Sequence, residues 1–290
     1  MSSFMLKVTY HHFRRKKRMT ADEAEDAIQE MLRAGPEPFK APPNFMKHRR
    51  VDSDLGSVFY LNEDTSADYT IFYIHGGSYI HDFSIFHWRF IRDIIKRTDA
   101  TVIAPAYKLM PFGSYRDAFN LILPLYRTYL KENPGRKIIL MGDSAGGGLA
   151  VSLAEEMKML GIRLPDEMIL LSPWVDMTME NPDQQEYQER DPWLYIANLS
   201  IYQKHWAEGL DLHDYHVSPT FGDLSGISNT TVFLGTEELL HPDIVRFYEK
   251  LDKDGNNELI IGEGMIHVYP LLPIPEARPA DEIIYKRIMR

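Results

Sequence analysis

The 290-residue sequence contains no cysteine, which excludes disulfides, thiol nucleophiles and cysteine-ligated metals. This absence is compatible with a reducing compartment, and we expect a cytoplasmic location. No run of about 18 apolar residues occurs, so the sequence predicts no transmembrane helix and no stable membrane insertion. The first 20 residues also lack the apolar core of a secretory signal.

Positive charge is scarce, since 32 Lys and Arg face 42 Asp and Glu, for a formal net charge of −10. Phosphate binding needs a cationic field, so we expect no nucleic-acid partner. The N-terminus is the exception, because it carries six basic residues and no acid: Lys7, Arg14, Arg15, Lys16, Lys17 and Arg18. This segment is either a membrane or polyanion contact or a solvated arm that pairs with the acidic body, and we favour the arm.

Strand and helix patterns alternate through most of the chain. A capping box at Thr20 and Glu23 predicts a helix that ends near Arg33. Predicted strands cover 57–61, 69–74, 101–104, 137–141, 167–171, 231–234 and 258–261, and predicted helices cover 86–97, 115–131, 145–160, 243–251 and 281–289. This alternation indicates an α/β protein with a mostly parallel central sheet covered by helices on both faces.

One long segment, between Trp174 and Ser228, shows no clear strand and is rich in aromatic residues. A long insertion in an alternating fold is typical of a lid. We therefore predict a single domain over 1–290 with a helical cap contributed by about 1–48 and 177–215. We expect one or two of its aromatic side chains to line a pocket and the rest to pack within the insertion: Tyr187, Trp193, Tyr195, Tyr202, Trp206 and Tyr215.

A serine stands at the centre of a Gly-x-Ser-x-Gly motif that runs from Gly142 to Gly146. A predicted buried strand precedes the motif and a predicted helix follows it, which is the setting of a nucleophile on a sharp strand-to-helix turn. Glycines suit this turn because a Cβ on either side would collide with neighbouring chain. We predict that Ser144 is the nucleophile.

A serine nucleophile needs a base, and histidine exchanges protons near neutral pH. Of the 11 histidines, His267 follows the last predicted strand. The base is expected there when nucleophile, acid and base occur along the chain in the order serine, acid, histidine. Four others show no partner in the sequence: His11, His12, His48 and His87.

An acid must orient the imidazole and stabilise its charged form. Glu237 and Glu238 follow the predicted strand at 231–234, and Asp176 follows an earlier strand. Asp243 stands in the first turn of the next helix, where its charge suits the helix end. We favour Glu238, then Asp176, then Glu237.

Backbone amides must also stabilise the negative oxygen that develops during acyl transfer. Gly76 and Gly77 directly follow the strand at 69–74, and Ala145 follows the serine at a helix start. We predict these three amides as the oxyanion hole.

Phosphate-loop and dinucleotide fingerprints are absent, so no nucleotide cofactor is indicated. His213 and His216, beside Asp211 and Asp214, have close spacing but no third ligand in an ordered helix. We predict no metal and no cofactor.

Together these motifs resemble the hormone-sensitive-lipase group of the α/β-hydrolase fold, from about Tyr69 to Tyr269. The resemblance rests on matches to six family blocks: His75-Gly-Gly77, Gly142–Gly147, Ser172-Pro-Trp-x-Asp176, Ser218-Pro219, Gly235-x-x-Glu238-x-Leu-x-x-Asp243 and Gly264-Met-x-His267. The chain departs from the group at the acid, where Glu238 replaces the usual aspartate, at Tyr107-Lys-Leu-Met-Pro-Phe112, and at Met141 before the elbow.

The resemblance implies hydrolysis of short-chain carboxylic esters without a cofactor, through an acyl-enzyme on Ser144. It also implies a homodimer, a small ester as partner and a structural role for Asp143. We expect His75, Tyr79 and Trp174, which stand in or beside these blocks, to contact substrate. Two alternatives remain, a non-catalytic small-ligand binder on this fold and an amidase or peptidase.

Overall fold

A computed structural model describes residues 3–14, 18–44 and 46–290. Eight strands form one sheet: β1 (His48–Ser53), β2 (Gly56–Leu61), β3 (Tyr69–Ile74), β4 (Thr101–Tyr107), β5 (Lys137–Asp143), β6 (Glu167–Leu171), β7 (Thr230–Gly235) and β8 (Glu258–Gly262). Their spatial order is β1-β2-β4-β3-β5-β6-β7-β8. Pairing is antiparallel between β1 and β2 and between β2 and β4, and parallel from β4 to β8. The predicted mostly parallel sheet is confirmed.

Nine α-helices lie in the described chain: α1 (Phe4–Arg14), α2 (Ala21–Ala34), α3 (Ile85–Thr98), α4 (Tyr115–Glu132), α5 (Ser144–Met159), α6 (Gln184–Arg190), α7 (Ile196–Ala207), α8 (His241–Lys250) and α9 (Arg278–Met289). The predicted capping box of α2 is present, with Thr20 and Glu23 bonded reciprocally. No described helix has the length and apolarity that crossing a membrane requires.

The sheet separates two hydrophobic cores because alternate side chains of its strands point to opposite faces. On β3, Ile71 and Tyr73 face the core covered by α3, α9 and the inner face of α1. Phe72 and Ile74 face the other core, covered by α4, α5 and α8 together with α2 and α7. Helices therefore cover both faces, as predicted.

The parallel strands direct their carboxyl ends toward one edge of the sheet, where an α/β fold gathers its site. β3 leads into Gly76, β5 into Ser144, β7 into Glu238 and β8 into the loop that carries His267. Helix α2 packs on α7 beside this edge.

Candidate active site

Ser144 stands at the junction of β5 and α5 with a φ of +50°, a left-handed conformation that is strained for a serine. Its neighbours Gly142 and Gly146 approach backbone so closely that a Cβ on either would overlap a carbonyl oxygen. The Trp174 N–H donates to the Ser144 carbonyl at 2.8 Å. The predicted sharp turn is therefore present, and surrounding chain holds it.

The three residues favoured as nucleophile, base and acid meet in one hydrogen-bonded row. Ser144 Oγ lies 2.9 Å from His267 Nε2. His267 Nδ1 lies 2.6 Å from Glu238 Oε2, and all three side chains are buried. Because a carboxylate accepts, Nδ1–H donates to Glu238 and leaves Nε2 to accept the serine proton.

Glu238 is held by two further donors on its other oxygen. The Gly235 N–H donates to Oε1 at 2.6 Å, and the Ser172 hydroxyl donates to it at 2.9 Å. The hydroxyl oxygen of Ser172 also accepts the Val268 N–H at 2.9 Å. Ser172 thus links the loop of the acid to the loop of the histidine, a role that sequence reasoning missed.

The rival acids lie in other environments. Asp176 Oδ1 accepts the N–H and hydroxyl of Thr178, at 2.9 and 2.6 Å. Glu237 is only partly buried, and its carboxylate accepts from the neighbouring Thr236 hydroxyl. Asp243 accepts from two side-chain amides, and burial raises the pKa of Asp243 to about 7. The structure brings none of the three to His267.

The predicted oxyanion hole needs one correction. The Gly76 N–H is already committed, since it donates to Asp143 Oδ1 at 3.1 Å. Gly77 and Ser78 line the cavity beside Ser144, both with positive φ, and in the described chain their amides show no internal acceptor. Ala145 N–H lies in the first turn of α5, where helix amides have no partner within the helix.

Asp143 is a buried anchor beneath Ser144, in agreement with the structural role expected of it. Its carboxylate accepts from Tyr73 Oη at 2.8 Å and contacts His87 Nε2 at 3.2 Å. Burial opposes its charge, but His87, Tyr73 and Gly76 outweigh that cost and hold the pKa of Asp143 below its usual range. The expectation that His87 has no partner is therefore wrong. The sequence signal for a partner was Ser84, three residues earlier, which forms a capping box with His87 at the start of α3.

The three expected substrate contacts lie behind the cavity rather than in its lining. His75 is fully buried and stacks on Tyr107 at 4.6 Å. Tyr79 stacks on Trp206 at 4.0 Å and donates its hydroxyl to the Ala145 carbonyl. The Trp174 indole N–H donates to the Asp176 carbonyl at 2.9 Å. Each side chain supports the loops around Ser144, which corrects the prediction of substrate contact.

A cavity of about 560 Å³ opens at Ser144 and His267. Most of its wall is apolar or aromatic, and it draws on the N-terminal segment and the insertion as well as the sheet edge: Phe13, Met19, Phe83, Phe86, Trp193, Leu194, Tyr195, Leu199, Tyr202, Leu271 and Leu272. Trp193 stands edge-on to His267 with ring centroids 5.8 Å apart, and Phe13 stacks on Trp193 at 4.1 Å. Three of the six insertion aromatics line the cavity, one more than predicted.

Asp191 ties the insertion to the loop of the acid. Its Oδ1 accepts the N–H groups of Trp193 and Leu194, and its Oδ2 accepts the Leu239 N–H at 2.7 Å. Burial raises the pKa of Asp191 to about 6, against the opposing charge of His267 and these three donors. A buried carboxylate that joins Trp193 to the residue after Glu238 is a second feature that sequence reasoning missed.

His213 and His216 each pair with a nearby aspartate, Asp211 and Asp214 respectively. Within residues 3–14, 18–44 and 46–290, no group of three or more His, Cys, Asp or Glu is arranged to hold a metal ion.

Comparison with known proteins gives the family. Residues 71–271 match a protein family whose description is alpha/beta hydrolase fold. An esterase of Acinetobacter venetianus is 33% identical over 195 residues, which are 67% of this chain and 64% of that protein. An acetyl-hydrolase of Streptomyces hygroscopicus is 31% identical over 222 residues, 74% of this chain and 73% of that one. A crystal structure of a candidate esterase from Staphylococcus aureus superposes with a TM-score of 0.86 at 28% identity, covering 96% of both chains.

The chain belongs to the α/β-hydrolase family, as its resemblance to the hormone-sensitive-lipase group led us to expect. The match spans a little under two thirds of the Acinetobacter esterase, at 64% of its length.

Proposed function

We propose that the protein is a serine carboxylesterase in which Ser144, His267 and Glu238 form the catalytic triad. The observation that carries the proposal is the continuous row of hydrogen bonds from Ser144 Oγ through His267 to Glu238, at 2.9 and 2.6 Å, at the wall of an apolar cavity. The names of the relatives, an esterase and an acetyl-hydrolase, support ester hydrolysis.

In the first half of the proposed reaction, Ser144 Oγ attacks the ester carbonyl carbon while His267 Nε2 takes the hydroxyl proton. Glu238 accepts from Nδ1–H, keeps the required tautomer and stabilises the imidazolium. The amides of Gly77, Ser78 and Ala145 then donate to the oxyanion. His267 protonates the departing alkoxide, which leaves as the alcohol.

In the second half, water attacks the acyl-enzyme carbonyl and His267 Nε2 takes a proton from that water. The tetrahedral intermediate collapses with the Ser144 oxygen as leaving group, and His267 returns the proton to it. The acid product leaves and the free serine is restored, so the cycle needs no cofactor.

We propose esters of short-chain acids as substrates, by analogy with the acetyl-hydrolase relative. A p-nitrophenyl ester series from acetate to decanoate tests this, with maximal kcat/KM at six carbons or fewer as the expected result. A maximum at decanoate would contradict the proposal.

The proposed ester hydrolysis is tested with p-nitrophenyl acetate and butyrate as substrates and Ser144→Ala as the variant. Removal of a triad nucleophile is expected to cut kcat on the order of 10⁴-fold or more while circular dichroism stays unchanged. Faster turnover of a matched acyl anilide would indicate an amidase. Tight ligand binding without turnover would indicate a binding protein.

Three finer features are also proposals. The segments 1–48 and 177–215 act as a cap, because Phe13, Met19 and Trp193 lie in the cavity wall.

A homodimer forms along the edge strand β8, whose Ile261 is exposed, and light scattering tests it. The protein acts in the cytoplasm, which fractionation of the source cells tests.

A further inference from the structure

Helix α1 presents an apolar stripe to solvent. Phe4, Met5 and Val8 are 81%, 47% and 51% exposed, and Phe4 and Val8 lie one turn apart on the same side. The opposite side of the helix is packed, with Leu6 and Phe13 buried in the core beside the sheet. We call Phe4, Met5 and Val8 the docking face.

The helix is anchored to the body, so the docking face is presented in a defined orientation. The Ser3 hydroxyl donates to Glu276 at 2.8 Å, and the Tyr10 hydroxyl donates to the Arg190 carbonyl at 3.1 Å. Phe13 adds its stack on Trp193. These contacts leave the outer side uncovered within the described chain.

Positive charge borders the docking face. Lys7 and Arg14 are exposed on one flank of the same helix, and the sequence places six of the chain's 32 Lys and Arg in its first 18 residues without one acid. The whole chain carries a formal −10. Cations concentrated beside an exposed apolar stripe, on an acidic protein, fit a surface that is both apolar and anionic.

A groove beside Met5 extends this surface. Its apolar wall includes Phe86, Leu272 and Ile274, and its cations include the exposed Arg89 and Arg278. Two acids also line it, Asp93, which pairs with Arg92 at 2.7 Å, and Asp281, whose pKa burial raises to about 6. The groove shares Phe86, Leu271 and Leu272 with the cavity at Ser144.

We propose that the docking face and this groove bind the surface of an anionic phospholipid bilayer. The apolar side chains enter the interface, and the flanking cations meet lipid phosphates. A second copy fits less well, because a two-fold contact through this face would bring Lys7 and Arg14 near their own counterparts.

Sedimentation with sucrose-loaded vesicles tests the proposal on the full chain. One vesicle contains phosphatidylcholine alone, and the other contains equal parts of phosphatidylcholine and phosphatidylglycerol, both in about 0.1 M salt. The wild-type protein is expected to bind the anionic vesicles at least about tenfold better than the neutral ones. The double variant Phe4→Glu, Val8→Glu is expected to lose about tenfold or more of that binding.

A matched control is available on α5. Met159, the last residue of α5, and Leu160, which follows it, are 71% and 54% exposed, and Met159 lies about 22 Å along the helix from Ser144. Met159→Glu, Leu160→Glu adds the same two charges and is expected to bind like the wild type. Unchanged circular dichroism in both double variants verifies folding, and the binding readout needs no ester hydrolysis.

Three results would overturn the proposal. They are failure of the wild-type protein to bind anionic vesicles, equal loss of binding in the two double variants, and a dimer in light scattering that Phe4→Glu, Val8→Glu dissociates. The last result would assign the docking face to a second copy.

Discussion

Glu238 fills a position that aspartate occupies in the group whose motifs the chain resembles. Its longer side chain lies over its own strand end, where Gly235 N–H and the Ser172 hydroxyl bind Oε1 and leave Oε2 for His267. Two fixed donors on one oxygen restrict the extra rotatable bond of Glu238 and leave its second oxygen oriented toward His267.

Replacing this acid by its amide tests the assignment. Glu238→Gln keeps the shape but offers no second carboxylate oxygen, so the favoured histidine tautomer is lost. We expect kcat for p-nitrophenyl butyrate to fall on the order of 10³–10⁴-fold. The matched variant Asp176→Asn is expected to retain kcat within about tenfold, because Asp176 bonds Thr178 and not His267. A larger loss of kcat in Asp176→Asn than in Glu238→Gln would assign the role of the acid to Asp176.

At the residue scale, the order of the motifs sufficed to predict that Ser144, Glu238 and His267 lie together, because the fold places the ends of the parallel strands at one edge of the sheet. It did not suffice for Gly76, whose amide is taken by Asp143. Nor did it predict the contacts of Ser172 and Asp191, whose partners stand 66 and 48 residues away in the chain, because the order of motifs does not give the direction of a side chain. Side-chain direction at that range depends on tertiary packing.

At the scale of elements, the segment from Asp191 to Leu194 joins the insertion to the loops that carry Glu238 and His267. Asp191 accepts from Leu239, next to Glu238, while Trp193 touches His267. The buried carboxylate therefore links the position of the insertion to the geometry of the hydrogen-bonded row of Ser144, His267 and Glu238.

Asp191 also makes stability depend on pH with a defined sign. Its pKa is raised to about 6 in the folded protein, against about 3.9 when unfolded, so the folded state binds more protons between these values. The free energy of unfolding of the wild type, relative to Asp191→Asn, is expected to fall by about 2 kcal/mol as pH rises from about 4 to 6 and to level off above about pH 7. Urea titrations of both proteins measure this difference, since titration common to both cancels. A difference in unfolding free energy that stays flat or rises between about pH 4 and 6 would contradict the raised pKa of Asp191.

Phe13 tests whether α1 forms part of the substrate cavity. Phe13→Ala removes the ring that stacks on Trp193, and with it apolar wall. KM for p-nitrophenyl hexanoate is expected to rise about fivefold, or ~1 kcal/mol, with little change for the acetate ester. Phe221→Ala, outside the cavity, is the control and should change neither KM. An unchanged KM for hexanoate in Phe13→Ala would remove α1 from the substrate site.

Most elements were predictable because buried strands and amphipathic helices have distinct periods. The exceptions are α1, β1 and the two helices of the insertion, α6 and α7, for which only a helical cap without helix bounds was predicted. Strand β1 is an edge strand whose side chains are mostly exposed, so no apolar alternation marks it. Helix α1 lacks an acidic first turn, and its basic residues suggested a solvated arm. The expected arm thus begins as a packed helix, although Arg15, Lys16 and Lys17 lie outside the described residues.

At the scale of the whole molecule, charge and apolar surface are unevenly distributed. The formal charge is −10, yet the N-terminal segment is basic and its helix exposes apolar side chains beside the cavity. The alternation of strand and helix patterns predicted the class of fold, and composition argued against several classes of function. It could not predict which segments meet over Ser144, because the cavity wall combines residues from Phe13 to Leu272.

The central claim is that Ser144 is an activated nucleophile in an intact triad. Incubation with an alkyl fluorophosphonate, followed by intact mass and peptide mapping, tests it directly. We predict one adduct per chain on Ser144, with activity lost in parallel, slower labelling of Glu238→Gln and no labelling of Ser144→Ala. An unmodified Ser144, or an adduct on another residue with equal loss of activity, would contradict the account.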